Sequence, residues 1–267
     1  MRLFWKAIGT LGLVATLAPA PASAQQSDNA GPATHVSDTH RSPFFDLHPE
    51  LTKDEFEQVT RELGSVLRFR QLRDTTTVRK GDVDLSVQFA NARIDDSKAA
   101  WNNTISHPTA DQHVSASMSF PRVVARFGVS DRVDVGALGG LAPRANYGLV
   151  GVDSRIALLQ QGPTRPVSVS VRPSITLLVA PSEVLVGNAG VDLSVSRAIG
   201  PVSPYAGVAA STSGAVERSK NVDLDPVSAG ASLAYAGLSY RWRPLILSAE
   251  VEKGAQVRYA FGIGTRF

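Results

Sequence analysis

Alternation constrains this chain more than any other feature. From Gly81 onward, apolar residues trade places with small, polar or charged ones at every second position. Val83, Leu85, Val87 and Phe89 alternate with Asp84, Ser86, Gln88 and Ala90, and Val191, Leu193 and Val195 alternate with Asp192, Ser194 and Ser196. A side-chain period of two belongs to extended strands whose two faces meet different surroundings. The runs are about ten residues or longer, the length a tilted strand needs to cross a bilayer.

Ten such runs are readable, near 82–94, 113–128, 131–142, 146–160, 166–180, 187–199, 202–216, 227–241, 244–254 and 256–267. Tight turns at 130–132, 161–166, 200–203 and 241–244 alternate with more polar or longer connections at 95–112, 142–146, 181–186, 217–226 and 253–255. Short turns at one end and longer loops at the other is the layout of a transmembrane antiparallel up-and-down β-barrel. An even strand count puts both termini on the short-turn side, the periplasm. Some runs fit less well. Parity switches between Phe120 and Pro121, which predicts a bulge, and 227–241 shows no clear parity. Residues 66–76 are a further candidate strand, so eight or twelve strands remain open.

The front of the chain reads as a secretory signal peptide over residues 1–24. Arg2 and Lys6 precede an apolar stretch from Ala7 to Ala18, and Ala22-Ser23-Ala24 is a small-x-small cleavage site. The apolar stretch is too short for a membrane-spanning helix. Losing Arg2 and Lys6 leaves 25 Lys+Arg against 24 Asp+Glu, with no basic run suited to nucleic acid. There is no cysteine, hence no disulfide, thiolate metal site or lipid-modified cysteine.

Residues 25–80 read as a flexible polar leader followed by an amphipathic helix over 52–67, placed in the periplasm ahead of a barrel at 81–267. Thr52 with Glu55 forms a capping box, Leu51 and Phe56 occupy staple positions, and Phe56, Val59, Leu63 and Val66 share one helical face. The helix either packs against the barrel end or serves as a plug or partner-binding element.

The ending RYAFGIGTRF resembles the C-terminal signal of bacterial outer-membrane β-barrel proteins, through Tyr259, Phe261, Ile263 and the final Phe267. Thr265 departs from it, since a bulkier residue is commoner there. The resemblance covers roughly 81–267 and implies an outer-membrane location, insertion by the barrel-assembly machinery and contact with outer-membrane lipids. It implies no substrate. The competing fold is a soluble periplasmic barrel binding a small ligand, which gives the same alternation with its apolar face turned inward. Gly, Ser and Ala with isolated Arg and Asp on the other face suit a polar lumen, whereas a soluble exterior carries more Lys and Glu.

With the larger apolar groups facing lipid, parity turns twelve charged residues inward: Asp84, Arg122, Arg126, Asp134, Asp153, Arg155, Arg172, Asp192, Glu250, Glu252, Arg258 and Arg266. In so narrow a lumen, mutual pairing of six arginines with six carboxylates is expected. The resulting reading is non-enzymatic: a narrow channel or transport-related barrel, or a structural surface barrel, with a charge-paired lumen. The alternative is a rim hydrolase of lipid-deacylase or protease type. His113 and Ser115 form a His-x-Ser pair without an identifiable orienting residue, and Asp95, Asp96, His107, Asp223 and Asp225 lie in the longer loops. No nucleotide loop or histidine cluster suggests a cofactor or metal. Trp101 reads either as a recognition residue or as one folded onto the rim. Tyr147, Tyr205, Tyr240 and Trp242 sit near strand ends, where aromatic girdles form.

Overall fold

A computed structural model describes residues 45–70, 72–93, 99–105, 117–141, 147–179, 181–220 and 222–267. The expected signal peptide, the leader up to residue 44, and Asp95, Asp96, His107, His113 and Ser115 lie outside the described residues.

Ten antiparallel strands close into one barrel, each paired with its chain neighbours and the last with the first. They are β1 (Val83–Arg93), β2 (Ser117–Ser130), β3 (Val133–Leu141), β4 (Gly148–Leu159), β5 (Ser168–Val179), β6 (Val184–Ser196), β7 (Val202–Glu217), β8 (Val227–Trp242), β9 (Leu245–Lys253) and β10 (Val257–Arg266). The ten expected runs therefore correspond to the ten strands, with ends moved by a few residues, although 227–241 lacks the clear period of two. The seam between β1 and β10 runs from Asp84↔Arg266 to Asn91↔Tyr259. It is finished by the last residue: Phe267 N–H donates to Val83 O at 2.8 Å, and Val83 N–H returns the bond to Phe267 O at 3.1 Å.

The face that alternates apolar points outward. Val152 is 57% exposed, Phe261 60% and Phe267 66%, while the intervening Asp153 and Ala260 are buried. A soluble barrel would bury the larger groups, so that alternative does not describe this chain. The expected bulge at Phe120/Pro121 is absent; β1 and β2 pair without a break from Val83↔Phe127 to Arg93↔Ser117. The irregularities fall instead at Gly128/Ser130 and Ala157/Leu159. Parity breaks in the sequence of β2 because inward positions there carry apolar Val124 beside Arg122 and Arg126, not because the strand is kinked. In β8, Val227 to Leu233 pair with β7 alone, since β9 reaches only Ala234↔Lys253. This half of β8 presents Ser228, Gly230 and Ser232 outward, which explains its weak pattern.

The helix α1 spans Lys53–Leu67, with Thr52 as N-cap and the complete capping box. Thr52 N–H donates to Glu55 Oε2 at 2.9 Å, while Glu55 N–H donates to Thr52 Oγ1 at 3.4 Å. A second, one-turn helix, α2, spans Ala99–Asn102. Helix α1 does not sit at the short-turn end, where it was expected. It packs on β8, β7 and β6 and against α2, at the long-loop end and opposite the start of β1. The physical reason is an apolar collar on the barrel's inner wall at that end. Val124, Leu138, Leu149, Leu178, Val186 and Ala215 form one cluster with Phe56, Val59, Leu63, Val66 and Leu67 of α1. Full burial of each such Leu, Val or Phe contributes about 1.5–3 kcal/mol.

Candidate functional site

From Arg68 the chain leaves α1 and runs the length of the interior to β1. Residues 66–76 are thus not an eleventh wall strand but the start of a threaded segment. Phe69 carbonyl accepts from Arg172 Nη2 at 2.9 Å, and the Arg172 guanidinium lies 5.3 Å from the Phe69 ring centroid. Lower down, Thr75 N–H donates to Ser196 Oγ at 3.0 Å, and Val78 N–H donates to Asp134 Oδ2 at 2.8 Å. Near the short-turn mouth Thr77 Oγ1 donates to Asp131 O at 2.8 Å. Gly81, at φ +86°, makes the reversal into β1 in a conformation that side chains disfavour.

Eleven of the twelve charged residues assigned inward by parity are buried; Arg266 is half-buried at the mouth. Five arginines stand opposite a carboxylate across a ladder: Arg172↔Asp192, Arg155↔Asp134, Arg258↔Glu252, and Arg126 and Arg266 on either side of Asp84. Asp134 takes Arg155 Nη2 at 2.8 Å and also Arg126, whose other nitrogen bonds Asp153. Arg172 lies 3.0 Å from Asp192 and 3.5 Å from Asp153.

The threaded segment adds three arginines that parity of the wall cannot disclose. Arg68 bonds Asp192 and Glu252, each at 2.7 Å. Arg70 Nε lies 3.1 Å from Glu252, and Arg73 lies 2.8 Å from Asp84. With half-buried Asp74 on the same segment, the expected tally of six arginines against six carboxylates therefore becomes nine against seven inside the barrel. The signal was there in RFRQLR, three arginines in six residues directly after an apolar helix face.

Arg122 pairs with no carboxylate among the described residues. It donates to Arg68 O at 2.8 Å and to Val66 O, the free carbonyls at the end of α1. The helix has no basic residue in its last turn, so the wall supplies the cation that its negative end favours. Glu250 is buried beside the Tyr205 hydroxyl and close to Glu252, Arg68 and Arg70.

Two expected girdle residues lie inside. Tyr205 is 3% exposed and meets Tyr235 edge-on, with ring centroids 6.4 Å apart. Each ring covers a glycine across the ladder, Tyr205 on Gly237 and Tyr235 on Gly207. Tyr147 packs edge-on against Phe45 at 5.0 Å, and burial pushes its phenol up to about 12. Tyr240 and Trp242 are exposed on the outside, as girdle residues are. Trp101 is wholly buried and donates to Glu62 Oε2 at 2.7 Å, locking α2 onto α1. Of the rim carboxylates, Asp225 pairs with Lys53 of α1 at 3.0 Å, and Asp223 is exposed. Among the described residues no group of His, Asp and Glu is placed to hold a metal ion.

A closed antiparallel barrel with an apolar exterior and a charged, hydrogen-bonded interior defines the class of membrane-spanning β-barrels. No protein-family model matches the chain, and comparison with curated proteins finds no relative. Among solved structures it is similar to an outer membrane channel from Pseudomonas putida F1, at 9% identity over 75% of this chain and 100% of that one, TM-score 0.45. It is also similar to the outer membrane protein OprG of Pseudomonas aeruginosa, at 12% identity over 73% and 99%, TM-score 0.34. A third is Ail, the attachment invasion locus protein of Yersinia pestis, at 13% identity over 70% and 99%, TM-score 0.32. What this barrel does is a matter for its own residues.

Proposed function

We propose that the chain is an outer-membrane barrel held shut by its own N-terminal segment, a non-conducting structural or surface-interaction protein rather than an open channel or an enzyme. One observation carries this: the interior is occupied from end to end. The apolar collar is filled by α1, the belt below it by Arg68, Arg70 and Arg73 on wall carboxylates, and the lower mouth by Thr75 to Val78. A barrel of this strand number has room for little more than side chains. A through-going segment leaves no aqueous path.

The outward apolar band and the outward Tyr259, Phe261, Ile263 and Phe267 support the outer-membrane reading. The last four serve in this proposal as the assembly signal, and the short turns face the periplasm. Helix α1, α2 and the β7–β8 hairpin then make up the outer face. Single-channel recording in planar bilayers tests the proposal. The full chain is expected to give no steady conductance at either polarity, and a chain lacking residues 45–80 to give steady channels. Steady channels from the full chain would overturn it.

A further inference from the structure

The two ends of the barrel carry opposite charge. At the long-loop end, ten exposed or half-buried carboxylates stand against five cations among the described residues. At the short-turn end, by the same measure, eight cations stand against three carboxylates, half-buried Asp74 and Asp82 and exposed Asp131. The cations are spread with the turns. Arg132 lies between β2 and β3, Arg165 between β4 and β5, Arg197 between β6 and β7, and Arg243 between β8 and β9. Arg79 and Lys80 add to them where the threaded segment leaves the interior. None of these six is in an ion pair that would neutralise it among the described residues.

We propose that this rim binds the phosphate head groups of an anionic phospholipid leaflet that surrounds the short-turn end; the proposal rests on the membrane reading above. Distribution decides the partner. A protein or a soluble polyanion docks on one side and would favour cations gathered on one side. Here every short turn contributes an arginine, so the complement must encircle the barrel, and a leaflet does. The height is right as well. Trp242, 65% exposed, and Tyr240 stand at the same end of β8, and such rings settle at the head-group level. Guanidinium forks bind phosphate oxygens bidentately while their aliphatic stems lie along apolar surface. Each cation at an anionic membrane surface strengthens attraction appreciably, and salt weakens it.

Tryptophan quenching by brominated lipid provides the test. Once the expected signal peptide is gone, the chain has Trp101, wholly buried at the far end, and Trp242, exposed at the rim. Quenching therefore reports the lipid beside Trp242. In mixed vesicles of phosphatidylcholine and phosphatidylglycerol, brominated phosphatidylglycerol should quench as if enriched at least about twofold over its mole fraction. The enrichment should vanish in the combined variant R132Q, R165Q, R197Q and R243Q, and should fall in the single variants R197Q and R243Q, whose turns flank Trp242. It should also fall for the unaltered protein in high salt, a control that does not depend on any variant folding. Quenching in proportion to mole fraction, or an enrichment indifferent to salt, would overturn the proposal and leave a soluble polyanion or acidic protein as the rim's partner. A chain that fails to enter vesicles of either composition overturns the membrane reading itself, whereas insertion without lipid preference overturns only this inference.

Discussion

Glu252 and Arg122 show what single buried groups contribute to keeping the interior occupied. Glu252 faces three guanidinium groups, those of Arg68, Arg70 and Arg258, at 2.7, 3.1 and 3.7 Å. Replacing it with glutamine takes the carboxylate from buried Arg70 and Arg258 and leaves Arg68 with Asp192 alone, and breaking buried pairs this way costs about 3–5 kcal/mol. Glu252→Gln should therefore lower the unfolding free energy by about that much in urea titrations of the reconstituted barrel. Asp192→Asn should cost less, because Arg68 keeps Glu252 and Arg172 keeps Asp153. Equal losses would mean that the ion pairs share charge diffusely rather than through Glu252. Arg122 acts differently, closing the carbonyl end of α1 from the wall. Arg122→Met should cost about 1–3 kcal/mol, the penalty for stranding buried carbonyls. A stabilised barrel would show that removing its unpaired charge outweighs the lost cap.

Helix α1 seats against the wall at Gly64, and the fit there leaves no spare volume. A Cβ on Gly64 would lie 1.6 Å from Ser213 Oγ and 2.6 Å from Ser213 Cβ, so an alanine cannot enter without moving the helix or the strand. Gly64→Ala should lift α1 from the collar and produce intermittent leak currents in planar bilayers. Ser213→Gly in the same chain should restore closure, because the next atom, Asn188 Nδ2, is 3.5 Å away. Leak that persists in the double variant would locate the fault elsewhere than this contact. The helix itself is legible in the sequence, since capping box, staple and apolar face are local signals. So are the strands and the inward position of all twelve wall charges, because a period of two survives whatever the barrel encloses. Where α1 docks was not legible, nor that Arg68, Arg70 and Arg73 lie inside. Those facts depend on inward Val124, Leu138 and Leu178 gathering at one end, which only the closed register brings together. Tyr147 and Tyr205 were misplaced for the same reason: nearness to a strand end does not tell inside from outside.

Ten strands alone return the chain to the side where β1 began, but the threaded segment makes a further crossing. The described chain therefore passes through the barrel eleven times, and an odd number separates α1 from Phe267. Helix α1 and Phe267 therefore lie at opposite ends of the barrel, where the helix and both termini were expected on one side. A polar, arginine-bearing stretch can cross a bilayer only inside a wall that supplies acceptors and counter-charges, as Asp84, Asp192 and Glu252 do here. The absence of cysteine allows the topology to be read with single reporters. Lys53→Cys places a thiol on the exposed face of α1, and Thr164→Cys places one in the exposed turn between β4 and β5. With the short turns in the periplasm, a membrane-impermeant maleimide added to intact cells should label position 53 and spare position 164. Permeabilising the outer membrane should then expose both. Labelling of 164 with protection of 53 would invert the barrel in the membrane while keeping the thread. Equal labelling of the two in intact cells would mean that they share one side, and the eleventh crossing would be lost with it.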